Sequence, residues 1–248
     1  ESRRPACCNR HTAPGSFFAL MHWLCDFWRA SIGGKVTMAV TGLLLFGFVI
    51  AHLLGNLQLF AGPDKINAYA KMLHHLGPLL WVARIGLLVI FVLHVATAIR
   101  LSRANKAARP VAYAKQATMQ ATMASRSMVL SGLSLLAFLG YHLAHFTLGM
   151  VGSDFAQKAA GAGGFDVYAM VTSGFANPAV VAAYVAFQVV LFLHLSHGLQ
   201  SFAQTVGIHH GRYTPMIKKL SFLLAAAIAG GNTLLALSVQ LGLVKGAA

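Results

Sequence analysis

KVTMAVTGLLLFGFVIAHLLGNLQLFAGP, residues 35–63, carries no Asp, Glu, Lys or Arg from Val36 to Pro63. A hydrocarbon core of about 30 Å is crossed by about 20 apolar residues as helix, so this stretch predicts a membrane span. Working outward, four more intervals read the same way. The second begins near Leu79 after Gly77 and Pro78, passes Arg84 and ends at Arg100. The third covers Ser127 to Ser153, the fourth opens at Pro178 and fades near Val206, and the fifth fills Leu220 to Val244. Both Pro78 and Pro178 suit the first turn of a helix, where a missing N–H is no loss.

The expectation is an all-α integral membrane protein of five transmembrane helices, the first four forming a bundle. The spans lie at about 35–61, 79–101, 126–151, 178–206 and 217–244, within one membrane domain, 34–245. Composition agrees: of 248 residues, 57 % are hydrophobic and 10 % charged, and the mean hydropathy is +0.68. Such a chain is neither disordered nor an ordinary soluble domain. Residues 1–33 form a basic N-terminal segment in which the aromatic run Phe17 to Trp28, too short to span and carrying Asp26, reads as an interfacial amphipathic helix with Trp23 and Trp28 at headgroup level. A signal sequence is the competing reading of that run.

A net charge of +14 would suggest nucleic acid in a soluble protein, but here the basic residues punctuate apolar runs, so no nucleic-acid partner is expected. Their distribution sets orientation. Arg3, Arg4, Arg10, Arg29 and Lys35, then Arg100, Arg103, Lys106, Arg109, Lys115 and Arg126, then Arg212, Lys218 and Lys219 fall on one side. Lys65, Lys71, Arg84, Lys158 and Lys245 fall on the other, with Asp64, Asp154 and Asp166. The positive-inside rule therefore puts the N-terminus in the cytoplasm and the C-terminus outside. Both outer loops have room for surface helices, and Gly161 to Gly164 reads as a flexible turn rather than a phosphate-binding loop.

Six of the twelve histidines lie inside the spans: His52, His94, His142, His145, His194 and His197. A polar ring in hydrocarbon needs a partner, and an interhelical hydrogen bond is the plainest one. Depth argues for more. His52 lies 17 residues beyond Lys35, His94 15 beyond Leu79, His142 16 beyond Arg126 and His194 16 beyond Pro178. Because successive helices alternate direction, His52 and His142 meet about 25 Å from the inner face, and His94 and His194 about 8 Å from it. Two facing neutral imidazoles are the axial ligands of a six-coordinate haem b, so the first four transmembrane helices are expected to form a haem-binding bundle.

The rival chemistries fit less well. A histidine pair without Cys or carboxylate falls short of a closed zinc shell. Haem c is excluded because no Cys-x-x-Cys-His occurs. Proton relays generally use intramembrane carboxylates, which these spans lack. Three cysteines, Cys7, Cys8 and Cys25, cannot build a four-cysteine cluster. Gly42, Gly47, Gly55, Gly86, Gly132, Gly140 and Gly198 leave room for a flat macrocycle, or simply for close helix packing. Since His145 and His197 each follow a candidate by three residues on the same face, spacing leaves open which member of each pair binds iron.

SIGGKVTMAVTG from Ser31, AHLLGN around His52, the His94 segment, YHLAHFT from Tyr141 and HLSHGLQSF from His194 together resemble one known family. It is the two-haem, single-subunit cytochrome b anchor of succinate:quinone oxidoreductases, the succinate dehydrogenases and fumarate reductases. The likeness runs through most of Ser31 to Leu243. It implies His52 and His142 as ligands of a distal haem and His94 and His194 as ligands of a proximal one. His145 and His197 become partners of the ligands or of the haem propionates, and Gly198 fits the fourth helix's pattern.

The resemblance also implies two haems b, a quinone that is most often menaquinone in anchors of this type, and a place in the cell inner membrane. Partner flavoprotein and iron-sulfur subunits on the cytoplasmic side carry the FAD and clusters, so no dicarboxylate chemistry belongs to this chain alone. Assembly into a higher oligomer is left open. Arg126 and Lys35 are candidates for haem propionates, Ser31 and Lys35 for a proximal quinone, and Tyr69, Lys71, His74 and His75 for a distal one. The chain departs from some relatives in one place: Phe192 stands where they carry a glutamate two residues before the fourth ligand. Two alternatives remain, a di-haem anchor of a hydrogenase or formate dehydrogenase and a histidine-bearing transporter or scaffold without haem.

Overall fold

The computed structural model of the chain describes residues 17–108, 122–150 and 166–244. The turn at Gly161 to Gly164, and Cys7, Cys8, Arg3, Arg4, Arg10, Arg109, Lys115, Asp154, Lys158 and Lys245 lie outside them. Among the described residues the regular structure is entirely helical. Five helices are long and apolar enough to cross a membrane: α2 (Ser31–Asn56, continued by a 3-10 turn Leu57–Ala61), α4 (Pro78–Ala107), α6 (Met128–His142, continued by a π turn Leu143–Thr147), α8 (Pro178–Thr205) and α9 (Thr214–Gln240). Four shorter helices join them: α1 (Phe17–Arg29), α3 (Pro63–His75), α5 (Met123–Arg126) and α7 (Val167–Gly174). The two loops with room for surface helices carry α3 and α7.

Several span ends differ from the expected ones, each for a local reason. Helix α2 starts at Ser31, one residue after α1, and stops where Gly62 at φ 95° turns the chain into Pro63. Helix α4 runs past its expected end near Leu101 to Ala107, because Arg103, Lys106 and their alanines favour helix and can leave the hydrocarbon. Helix α6 is shorter than expected. It begins after the break at Ser127, and its π continuation ends at Thr147, just before Gly149 at φ 60°, where Leu148 N–H reaches Leu143 O at 2.8 Å and Met150 N–H reaches Ala144 O at 2.9 Å. Helix α9 starts earlier, at Thr214 with Pro215 in its first turn, and ends just before Gly242 at φ 67°.

Helix α8 is the centre of the assembly, packed by α9, α6 and α2, while α4 leans on α2 and α2 stands largely apart from α6. Two apolar clusters hold the end that carries α3 and α7, the far end. Leu53, Leu59, Ile66, Tyr168, Ile228 and Leu235 form one, and Phe175, Val181, Tyr184 and Ala236 the other. There Asp166 caps α7 through Ala169 N–H at 3.0 Å, and its Oδ1 also accepts Asn67 Nδ2–H at 3.0 Å, which ties α3 to α7. The opposite, basic end carries α1 and the polar connections. Apolar side chains such as Val82 (66 % exposed) and Leu223 (62 %) cover the outer faces, as expected where lipid replaces water. Trp23 is exposed as expected for a headgroup anchor. Trp28 instead turns into the protein, its Nε1–H donating to Thr97 Oγ1 at 2.9 Å.

Candidate functional site

Helices α2 and α6 each present one hydroxyl and one histidine on a single face, and that arrangement builds two tiers of imidazoles. Thr41 on α2 is buried, and its Oγ1 donates to Thr37 O at 2.7 Å. With its own proton committed, that oxygen accepts the Nδ1–H of His94 on α4 at 3.1 Å. Ser131 on α6 repeats the device. It donates to Met128 O at 3.1 Å and stands 3.1 Å from His194 Nδ1 on α8. In both cases the imidazole is held as the Nδ1–H tautomer, which leaves the Nε2 lone pair for a ligand.

A glycine follows each hydroxyl. A Cβ built on Gly42 would stand 3.3 Å from His94 Cε1, and one on Gly132 3.6 Å from His194 Cε1. The small residue thus admits the ring flat against the neighbouring helix. His197, by contrast, has its Nε2 engaged 3.0 Å from Ser201 Oγ on its own helix.

The second tier lies eleven residues along the same two helices, about 16 Å of rise from the first. His52 and His142 stand with ring centres 5.8 Å apart and planes at 87°. His52 is exposed and stacks on Phe48 at 5.6 Å. His142 Nδ1 lies 3.3 Å from the Tyr184 hydroxyl, and His145 Nδ1 lies 3.1 Å from the same oxygen. The π turn after His142 is what swings His145 round to that hydroxyl, since a wider turn shifts the register of the face it presents. His145 is buried, with its ring 4.1 Å from Phe146.

The remaining sequence candidates fall into two groups. Ser31, Lys35 and Arg126 are exposed at the basic end. At the far end Tyr69 is half-buried and packs on Gly55, three residues beyond His52, at 2.7 Å from a Cβ built there. Lys71, His74 and His75 are exposed on α3, and His75 Nδ1–H donates to Lys71 O at 2.7 Å. The structure therefore brings Tyr69 toward the far-end tier and leaves the other three on the surface.

Thr41, Ser131 and Tyr184 were missed in the sequence. A signal for the first two exists: TGLLLFGFVIAH, residues 41–52, and SGLSLLAFLGYH, residues 131–142, share a hydroxyl, a glycine and a histidine at equal spacing. Pro78 to His94 and Pro178 to His194 repeat a second spacing. The chain thus carries the same two-helix unit twice. Among the described residues no group of three or more His, Cys, Asp or Glu could hold a bare metal ion. Each tier offers two nitrogens, which suits a centre whose remaining ligands arrive with a planar macrocycle. Neither family models, nor curated proteins, nor solved structures give a match to this chain.

Proposed function

We propose that the chain is the di-haem cytochrome b anchor of a succinate:quinone oxidoreductase, passing electrons between an iron-sulfur subunit and membrane quinone. The observations that carry the haem reading are the His52 and His142 rings 5.8 Å apart and the Nδ1 atoms of His94 and His194 tied to Thr41 and Ser131 on neighbouring helices. His52 with His142, and His94 with His194, would hold two haems b. Bound there, haem supplies a one-electron carrier that exchanges between ferric and ferrous iron with little reorganisation.

The residues of the chain do the rest. Thr41 and Ser131 fix ring orientation and raise ligand basicity, because a hydrogen-bonded Nδ1–H makes Nε2 the better donor. Tyr184 does the same for His142 at the far end. Apolar helix faces line both tiers and so keep the charge on each centre weakly screened. The stacking of both tiers on one face of α2 and of α6 gives electrons a route along the bundle. Tyr69 is the far-end residue best placed to meet a quinone head, since it packs against the ligand helix at Gly55.

The succinate assignment rests on the resemblance of the motifs, and so do menaquinone, the inner-membrane location and the cytoplasmic basic end. Copurification tests it. The expected partners are a flavoprotein with covalent FAD and an iron-sulfur subunit, released together by mild detergent. Nickel or molybdenum in the complex would assign the chain to a hydrogenase or formate dehydrogenase instead.

A further inference from the structure

The basic end carries a groove lined by none of the histidines of the two tiers. It lies between α5 and α9, both of which pack on α8, and encloses about 640 Å³, within the range of small-molecule clefts. Its lining changes along the bundle. At the mouth stand Thr122, Gln200 and the exposed Lys218 and Lys219. Phe192 lies eight residues before Gln200 on α8, about 12 Å deeper by helical rise. There its ring meets Phe222 of α9 edge-on at 5.1 Å, and Leu223 continues the apolar wall. Among the described residues the acids are Asp26, Asp64 and Asp166, and none of them pairs with either lysine.

That grading, charged at the membrane face and aromatic within, matches an amphiphile with an anionic head. Basic clefts between membrane helices take anionic lipid headgroups, each nearby lysine adding to the attraction. A lysine at a helix end lays its stem on apolar surface and lifts its ammonium to headgroup level, where a phosphate is met. A neutral amphiphile would gain the apolar wall and leave both ammonium groups without a counter-charge. We infer that the groove holds one anionic phospholipid of the leaflet at the basic end. Its phosphate meets Lys218 and Lys219, and one acyl chain lies against Phe192, Phe222 and Leu223. Held there, the lipid bridges α5 and α9 across α8, the helix that carries His194. The site needs neither haem nor quinone.

The test titrates the full purified chain, stripped of lipid in detergent, with dioleoyl phosphatidylglycerol or dioleoyl phosphatidylcholine, and counts bound lipid by native mass spectrometry. The two probes share their chains and differ in head charge. At low salt the first phosphatidylglycerol is expected to bind at least about tenfold more tightly than the first phosphatidylcholine. Lys218→Gln and Lys219→Gln should each remove about fivefold of that preference. Replacing both lysines by Arg should keep it, and Lys65→Gln, at the far end, should leave it unchanged. Phe222→Ala should weaken both lipids alike. Equal binding of the two lipids by the parent chain overturns the assignment, and so does a preference that survives the loss of both lysines. Displacement of bound phosphatidylglycerol by inorganic phosphate would assign the lysines to a free anion, and displacement by a short-chain quinone would assign the groove to a neutral amphiphile; either overturns it. The comparison of the two lipids on the parent chain needs no substitution, so a folding defect in a variant does not blunt it.

Discussion

An imidazole can offer iron either nitrogen, and its neighbours decide which. At His94 the deciding atom is Thr41 Oγ1, and at His194 it is Ser131 Oγ. Thr41→Val keeps the shape of the side chain and removes the acceptor, so the basic-end tier should bind haem about 10–100-fold more weakly while the far end is unchanged. Haem titration of the variant checks this, and an unaltered basic-end affinity would contradict it. Gly42 makes a steric counterpart. Its Cα side is already at contact distance from the His94 ring, so Gly42→Val should displace that ring and reduce occupancy of the same tier. Tyr184 serves two rings, His142 and His145. Tyr184→Phe would leave ring nitrogens unpartnered in a buried cluster, at about 1–3 kcal/mol. Under the proposed two-haem reading, the far-end centre should change in spectrum and potential while the basic-end one does not.

At the scale of elements, charge-free runs made the five spans legible, because a bilayer tolerates few charges whatever the packing. The ends were less legible. No residue type announces the π turn after His142, and the stop at Gly149 depends on that turn's geometry. Arg100 was counted but not placed, since its seat, 4.6 Å over the Trp28 ring and against Gly34, is assembled from α1, α2 and α4 together. Thr41 and Ser131 were readable in principle, through a spacing shared by two helices; Tyr184 was not, because a single tyrosine in an apolar span looks like packing. One element-level contact makes a separate prediction. Asp166 both caps α7 and ties it to Asn67 of α3, so Asp166→Ala should loosen the far-end cover by about 1–2 kcal/mol. Faster hydrogen exchange in α3 and α7, with both tiers still binding haem, is the expected result.

For the whole molecule, orientation follows from charge. The basic end, with α1 and Lys218 and Lys219, is proposed to face the cytoplasm. Cys25 lies exposed on α1 and offers a built-in probe. With Cys7 and Cys8 changed to Ser, it should resist an impermeant maleimide in intact cells and react once the inner face is opened. A cysteine placed at Lys71 should behave the opposite way. Reversal of either pattern would invert the topology without touching the geometry of the tiers.

The two-tier arrangement itself is tested most directly by counting haem in the purified chain alongside its dithionite-reduced spectrum. The account predicts two low-spin haems b per chain, with His52→Ala and His94→Ala each removing a different one. A chain without haem, or one in which either substitution removes both or neither, would contradict it.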